Sequence, residues 1–186
     1  SLIDKLTLSR DRGNKKRKKL IWFHAASIGE VQSIIPLVSK FYSSYNDLNF
    51  LITTSTISSG KIVKKKIKDL DRANHKYLPL DISFLVNSFL NNWSPSLAVF
   101  VDSEIWPNFL SNIKKRNIPL ILVNGRITPK TYKKWKMVNF FSKRIFKLFD
   151  LCLPCSEESL NYLVGLKTNN VKYFGNLKYS VEIKSE

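Results

Sequence analysis

Four short polar segments of this sequence, each directly after an apolar stretch, contain the residues best suited to chemistry. They are Ser27-Ile-Gly-Glu30, Thr53-Thr-Ser-Thr56, Asp102-Ser-Glu104 and Asn124-Gly-Arg126. The carboxylate of Glu30 can act as a general base that takes a proton from a sugar hydroxyl. The guanidinium of Arg126 is a planar group of five donors that suits a phosphate or a carboxylate. These residue types favour proton transfer beside an anionic ligand.

Each of these residues also has a purely structural interpretation. Ser27 and Glu30 have the spacing of a helix capping box, in which Glu30 folds back onto the Ser27 amide, and spacing alone favours that interpretation. Asp102 and Glu104 precede a predicted helix and can cap it, or they can bind hydroxyl groups. Arg126 can form a surface salt bridge. The sequence leaves both interpretations open.

Strands and helices alternate along the chain in a way that would position the polar segments. Apolar runs predict a strand that ends before Ser27 and others at 50–54, 75–80, 97–101, 119–123, 148–154 and 171–174. Helical periodicity predicts a helix that opens at Ser27 and others up to 69 and at 82–93, 106–116, 128–149 with a break, and 156–165.

Individual residues sharpen this prediction. Pro107 suits the first turn of its helix, and Gly165 is expected to end the last helix. On the helix at 82–93, one side is expected to carry Phe84, Leu85, Ser88 and Phe89. His24 is expected to be a core or turn histidine without a catalytic part, and His75 a surface residue at a strand edge.

The predicted strands at 97–101 and 119–123 are apolar throughout, which is typical of a parallel sheet covered on both faces. Their alternation with helices predicts an α/β fold, a Rossmann-like parallel sheet with helices on both faces. Ligands of such folds bind where the loops after the strands meet at one edge of the sheet. We therefore expect the polar segments to converge there, and Gly29 permits a close backbone approach at its turn.

Several classes of enzyme lack their signatures here. No Gly-x-Gly-x-x-Gly fingerprint or Walker loop follows the first strand, and no histidine lies near an obvious nucleophilic serine. Cys152 and Cys155 form a Cys-Leu-Pro-Cys pair at the end of a predicted strand, so reduced, partly buried thiols are expected rather than a redox pair. Two cysteines and two distant histidines do not make a zinc site. We expect no cofactor and no metal ion.

The chain of 186 residues has a formal net charge of +17, which suits a polyanionic partner. Its basic residues cluster at 15–19, 61–68, 114–116, 130–136 and 143–147. The partner can be nucleic acid, a phosphorylated lipid or an anionic membrane, or the lysines can be solvated helix faces. No apolar run reaches the length of a membrane span, and 1–19 is a basic segment without a secretory signal. Because the chain begins with Ser1, upstream residues can be absent from it.

Read in order, six motifs of the chain resemble one family, the 3-deoxy-D-manno-octulosonic acid (Kdo) transferases of lipopolysaccharide synthesis. They are His24-Ala-Ala-Ser-Ile-Gly-Glu30, Thr53-Thr-x-Thr-x-x-Ser-Gly60, Tyr77-Leu-Pro-Leu-Asp81, Asp102-Ser-Glu-Ile-Trp-Pro-Asn108, Asn124-Gly-Arg126 and Gly175-Asn-Leu-Lys178. The resemblance covers residues 20–180. It implies the N-terminal, acceptor-side half of a GT-B glycosyltransferase, with 181–186 as the start of a linker to a donor-binding half.

The resemblance also implies roles for individual residues. Glu30 matches the family's general base, and Asp102 and Lys178 match residues that support the transition state, although Asp102 stands where the family usually has glutamate. We expect substrate contacts from Ser27, Gly29, Thr54, Ser55, Glu104 and Arg126. The donor is expected to be CMP-Kdo and the acceptor a lipid A precursor, lipid IVA. No metal ion is expected, because the family transfers sugar without one.

The resemblance thus implies a Kdo transferase on the cytoplasmic face of the bacterial inner membrane, at an anionic lipid surface and without a nucleic-acid partner. The chain alone is expected not to transfer sugar, because the donor site would lie mostly in the other half. The alternatives are another GT-B nucleotide-sugar transferase acting on an anionic lipid and a non-enzymatic basic module that binds membranes. A thiol redox protein using Cys152 and Cys155 is a third alternative.

Overall fold

The computed structural model of this chain describes residues 18–176, in which strands and helices follow the predicted alternation. The bounds are β1 Lys19–His24, α1 Ile28–Ser44, β2 Leu48–Thr54, α2 Ile57–Lys66, β3 Ala73–Tyr77, α3 Ser83–Trp93, β4 Leu97–Val101, α4 Pro107–Lys115, β5 Leu120–Gly125, α5 Pro129–Met137, α6 Asn139–Phe146, β6 Leu151–Pro154 and α7 Glu157–Gly165. Most of the basic segment 1–19, Lys178 and the predicted linker at 181–186 lie outside the described residues.

The strands form one parallel sheet in the order β3-β2-β1-β4-β5-β6. The direction in which strands are added reverses between β1 and β4, and such a reversal leaves a crevice outside the carboxyl ends of the two strands. The register places His24 at the end of β1 beside Thr53 of β2 and Phe100 of β4. The predicted Rossmann-like sheet is confirmed.

Both faces of the sheet are covered, because successive residues of a strand point to opposite sides. Trp22 is fully buried on one face, in a cluster with residues of α3, α4, α6 and α7. Ile21 and Phe23 are buried on the other face with residues of α1 and α2. This agrees with the expectation from the apolar strands. The loops at the strand ends are therefore the place where a functional site is expected.

Hydroxyl residues begin four of the helices, because their side-chain oxygens accept a backbone N–H that the helix leaves unpaired. Ser27, Thr56, Thr128 and Ser156 each accept from the amide three residues further on, at α1, α2, α5 and α7. A cap of this kind typically contributes ~1 kcal/mol. Helix α4 begins with Pro107, as predicted, and has no side-chain cap from the residue before it.

Of the four residues predicted to share one side of α3, only Phe89 is buried. Phe84 is 69% exposed, and the buried residues of the helix are Val86, Phe89 and Leu90. The ring of Phe89 packs against Trp22 and Phe109, with centroid distances of 5.0 Å and 5.7 Å. Phe84 is left on the outside.

Two predictions near the end of the described residues also change. Gly165 is the last residue of α7, but Lys167 takes the left-handed backbone, with φ of 62°. A side chain at Gly165 would meet the Tyr132 hydroxyl at 2.5 Å, so close packing explains this glycine. The strand predicted at 171–174 reduces to a single bridge between Val171 and Cys152.

Cys152 and Cys155 are free thiols, the first buried and the second half-buried, as expected. Burial raises the pKa of the Cys152 thiol, although a backbone hydrogen bond involving Leu122 opposes that shift. No helix opens at this pair, since α7 begins at Glu157. Among residues 18–176, no helix is both long and apolar enough to cross a membrane.

Candidate active site

The corner between β1 and α1 fixes the carboxylate of Glu30 with two donors. The Ala26 amide donates to Oε2 at 2.8 Å and the Ser27 hydroxyl donates to Oε1 at 2.7 Å. In return, the Glu30 amide donates to Ser27 Oγ at 3.3 Å. The predicted capping interaction is therefore present, but the carboxylate accepts from the Ala26 amide instead of the Ser27 amide. Glu30 stays half-buried.

The surroundings of Glu30 raise its pKa. Burial is the largest cause, and the hydrogen bonds from Ser27 and Ala26 oppose it. The negative charges of Glu104 and Asp102 raise the pKa further. The three carboxylates are thus close enough to interact electrostatically, and we call Glu30, Asp102 and Glu104 the carboxylate site. A raised pKa makes Glu30 a stronger base than an ordinary carboxylate.

Glu104 is held by two donors on one oxygen. Trp106 Nε1 donates to Oε2 at 2.7 Å, and His24 Nε2 lies 3.1 Å from the same atom. Burial by itself raises the pKa of Glu104. The hydrogen bonds from His24 and Trp106, together with the positive charge that His24 can carry, lower it. The net result is a pKa below the ordinary value. Glu104 and Glu30 are therefore shifted in opposite directions, which is typical of carboxylates with different roles.

His24 connects this site to the neighbouring strand. Its ring is fully buried, and Nδ1 lies 3.0 Å from Thr53 Oγ1, which also accepts from Trp22 Nε1 at 2.9 Å. With Nε2–H donating to the Glu104 carboxylate, Nδ1 is free to accept from the Thr53 hydroxyl. The expected core histidine is confirmed. Its partner Glu104 was not foreseen, because the two residues are 80 positions apart in the chain.

Asp102 lies at the end of β4 in a left-handed conformation, with φ of 60°, and is only 8% exposed. The Ser103 hydroxyl donates to its Oδ1 at 2.9 Å. Its carbonyl accepts from the Arg126 amide at 3.2 Å, so the ends of β4 and β5 are bonded to each other. Buried Asn124 has φ of 55° beside a break in the β5 register. Left-handed non-glycine residues of this kind cluster at functional sites.

The side-chain cap of α4 comes from Asp81. Its Oδ1 accepts from the Phe109 amide at 2.8 Å and its Oδ2 from the Asn108 amide at 3.0 Å. Of the two interpretations left open for Asp102 and Glu104, the capping of this helix is therefore not the one observed. Asp102 and Glu104 have other hydrogen-bond partners, and the first amides of α4 donate to Asp81 in the loop after β3.

The predicted substrate-contact residues differ in accessibility. Ser27, Ser55 and Gly29 are exposed, and open space lies where a side chain at Gly29 would point. Thr54 is fully buried and its hydroxyl pairs with His75 Nε2 at 2.9 Å, which argues against a direct contact with substrate. His75 itself is half-buried at the strand edge.

Arg126 is exposed, and no carboxylate of residues 18–176 lies within ion-pair distance of it. The surface salt bridge considered from the sequence is not formed there. Its backbone bond to Asp102 places it beside the carboxylate site. Lys178 lies outside the described residues, so its place relative to these groups stays a prediction.

The fold and the position of the site define a class first. The chain has the architecture of one Rossmann-like half of a GT-B protein. Its structure is similar to UDP-GlcNAc 2-epimerase from Neisseria meningitidis, with a TM-score of 0.60 and 11% identity over 89% of this chain and 50% of that one. It is also similar to MurG from Acinetobacter baumannii, with a TM-score of 0.51 and 7% identity over 76% of this chain and 42% of that one. At such identities the likeness concerns the fold alone.

Sequence comparison then gives the family. Residues 4–181 match the model of the family described as 3-deoxy-D-manno-octulosonic-acid transferase (kdotransferase). The chain is 37% identical over 165 residues to the 3-deoxy-D-manno-octulosonic acid transferase of Rickettsia felis, covering 89% of this chain and 35% of that protein. The chain belongs to the Kdo transferase family, and it spans a little over a third of the length of that relative.

Proposed function

We propose that this chain is the acceptor-side part of a lipid A Kdo transferase, a glycosyltransferase that moves Kdo from CMP-Kdo to the lipid A precursor lipid IVA. One observation carries the proposal. The carboxylate of Glu30 is fixed at the end of β1 by Ala26 and Ser27, and its pKa is raised by burial and by Asp102 and Glu104. A fixed carboxylate with a raised pKa at this crevice suits a general base.

In the proposed reaction, Glu30 takes the proton of an acceptor hydroxyl while the oxygen of that hydroxyl attacks the anomeric carbon of CMP-Kdo. The bond from that carbon to the CMP phosphate oxygen breaks, and CMP leaves with the bonding electrons. The proton stays on Glu30 until solvent removes it. The Ala26 and Ser27 donors keep both carboxylate oxygens oriented during the transfer.

The remaining residues of the site have supporting roles in this proposal. Glu104 stays ionised because His24 and Trp106 lower its pKa, despite its burial. Negative charge on Glu104 and Asp102 favours the positive charge that grows on the sugar carbon as the leaving group departs. Lys178 would support the departing phosphate from outside the described region. Ser27, Gly29, Ser55 and Arg126 are the proposed substrate contacts, with Arg126 suited to a phosphate of the lipid.

The proposed partners follow from charge. A lipid acceptor with two phosphates and an anionic inner-membrane surface, reached from the cytoplasmic side, both suit a net charge of +17. Nucleic acid is not proposed as the partner of the carboxylate site, because stacking on single strands needs exposed aromatic rings along a basic groove. The aromatic residues near the site, such as Trp22 and Phe100, are buried in the core.

The donor would be bound mostly by another part of the protein. Because the chain spans 35% of the length of its Rickettsia felis relative, the activity proposed here is that of the whole protein. We expect residues 1–186 alone to give no turnover, and transfer by the isolated chain would contradict this division of labour.

The test is Glu30→Gln in the complete protein, assayed for transfer from CMP-Kdo to lipid IVA. Glutamine keeps the shape and can still accept from the Ala26 amide, but it cannot take a proton. We expect turnover to fall by roughly 10²- to 10⁴-fold. Glu157→Gln is the matched control, since it removes an exposed carboxylate from α7 and leaves the site intact.

Turnover of Glu30→Gln near that of the parent would leave Glu30 only its role at the start of α1. A non-enzymatic basic module would bind lipid and be insensitive to this change. Transfer to other anionic lipids at the same rate as to lipid IVA would favour a different nucleotide-sugar transferase.

A further inference from the structure

The two helices that follow the Arg126 loop present an exposed apolar surface. We call it the α5–α6 tip, formed by the last residue of α5, the break between the helices and the start of α6. Its members are Met137, Val138, Phe140 and Phe141, which are 86%, 49%, 84% and 46% exposed. Contiguous exposed apolar residues are typical of surfaces that bind another protein, a ligand or a membrane.

The tip is outside the core because other residues fix the two helices to the domain. The ring of Trp135 packs edge-on against Phe146 at 5.3 Å, and Tyr132 stacks on Tyr162 at 4.6 Å. Helix α5 has no fully buried residue, so these half-buried aromatic rings are its main attachment. The tip residues are left without a packing role.

The surroundings of the tip are strongly basic. Between residues 127 and 149 the sequence has no aspartate or glutamate, and its basic residues are Lys130, Lys133, Lys134, Lys136, Lys143, Arg144 and Lys147. Within the described part of the chain none of these cations forms an ion pair. Their positive charge is therefore not compensated locally.

From this combination we infer that the α5–α6 tip inserts among the headgroups of an anionic phospholipid membrane and that the surrounding lysines bind its phosphates. Aromatic and aliphatic side chains bury their apolar surface at the headgroup boundary, while cations beside them meet anionic lipid. A second copy of this chain is the poorer occupant, because two such tips would bring like charges together.

This inference rests on the proposed function only in taking a lipid surface as the place of work. Helix α5 begins three residues after Arg126, so docking through the tip would bring the Arg126 loop toward the lipid. Binding through the tip requires neither Glu30 nor a sugar donor. The two proposals can therefore fail separately.

The experiment measures binding of the complete protein to vesicles by flotation. One set contains phosphatidylethanolamine with phosphatidylglycerol, and the other only phosphatidylcholine. We expect Met137→Ser with Phe140→Ser to lower the partition coefficient on anionic vesicles at least tenfold, since burying one such side chain is worth about a factor of ten or more. Phe84→Ser is the matched control, because Phe84 is 69% exposed on α3 and outside the tip.

Charge is tested with a second matched pair. Replacement of Lys133, Lys134 and Lys136 by alanine should weaken binding by about fivefold for each lysine near the surface. The same change at Lys64, Lys65 and Lys66, three exposed lysines in the last turn of α2, should have a much smaller effect. Equal losses from the two triple variants would show that charge acts diffusely, and would overturn the assignment to the tip.

Depth is tested with Phe140→Trp and lipids brominated on their acyl chains. We expect extra quenching relative to the parent, because the new indole enters the headgroup boundary. Binding of the Met137→Ser, Phe140→Ser variant equal to the parent, or no extra quenching, would overturn the inference. A tip variant that keeps vesicle binding but loses self-association would point to a second copy instead. Glu30→Gln should bind vesicles like the parent whether or not it transfers sugar.

Discussion

The carboxylate site and the α5–α6 tip differ in how much of their polar and apolar surface is satisfied within the domain. At the carboxylate site, Glu30 and Glu104 each have two donors, and Asp102 is bonded through both its side chain and its carbonyl. At the tip, Met137 and Phe140 are more than four-fifths exposed and nearby lysines have no acidic partner among the described residues. The first region holds a fixed geometry, and the second is the surface that we propose to bind a membrane.

That difference predicts opposite responses to mutation. Changes at the carboxylate site should alter stability and activity together, because its groups are buried or half-buried and hydrogen-bonded to neighbouring residues. Changes at the tip should leave stability nearly unchanged and act on binding alone. The Glu30→Gln assay and the vesicle experiment test the two activities, and three further measurements test the contrast itself.

The largest effect is expected at His24. His24→Leu leaves the Glu104 carboxylate and the Thr53 hydroxyl without their ring partner in a buried place, which typically costs ~1–3 kcal/mol per group. We expect the free energy of unfolding in urea to fall by that order, and transfer activity of the complete protein to fall with it.

His24→Gln is the control for that change, because its side-chain amide can still donate to Glu104. We expect it to recover part of both losses. If leucine and glutamine had the same effect on activity while only leucine lowered stability, His24 would be a packing residue and would not position Glu104.

A smaller effect is expected from pH at Glu30. Its pKa is raised in the folded protein, mainly by burial, so the protonated carboxyl is favoured by folding and the ionised one is penalised. Relative to Glu30→Gln, the parent should be most stable below the ordinary carboxyl pKa. It should lose that advantage as the pH rises through the raised pKa.

Urea unfolding of both proteins at a series of pH values between about 4 and 8 measures this difference. The same substitution at exposed Glu157 corrects for the loss of one carboxylate elsewhere. A stability difference that grows with rising pH would mean that the hydrogen bonds from Ala26 and Ser27 outweigh burial, and Glu30 would then be a weaker base than proposed.

The smallest effect is expected at the tip. Met137→Ser with Phe140→Ser should change the free energy of unfolding by less than ~0.5 kcal/mol per site, because neither side chain is in the core. Thermal unfolding of the purified variant measures it. A loss of more than ~2 kcal/mol would show that these residues pack against the domain, and the contrast between the two regions would fail.

The sheet could be predicted from sequence because its determinants are local. The apolar runs at 97–101 and 119–123 predict buried parallel strands, and the hydroxyl residues Ser27 and Ser156 stand where helices begin. The burial of Phe89 beside an exposed Phe84 could not be predicted, because it depends on packing against Trp22 and Phe109 from other elements.

The site was predicted in part for the same reason. Glu30, Asp102, Glu104 and Arg126 follow strands, so the fold class alone brings them to one edge. The link from His24 to Glu104 could not be read from spacing, because it joins two strands far apart in sequence. The cap that Asp81 supplies to α4 is also non-local, and it takes the place that spacing allowed for Asp102 or Glu104.

The Asp81 carboxylate also has a mechanical consequence. It accepts hydrogen bonds from the first two amides of α4. The residue directly before that helix is Trp106, whose indole donates to Glu104. The loop after β3, on which Leu80 is exposed, is thereby connected to Glu104 through the first turn of α4. A ligand or partner that displaced this loop would therefore also shift Trp106, and with it the hydrogen bond that positions Glu104.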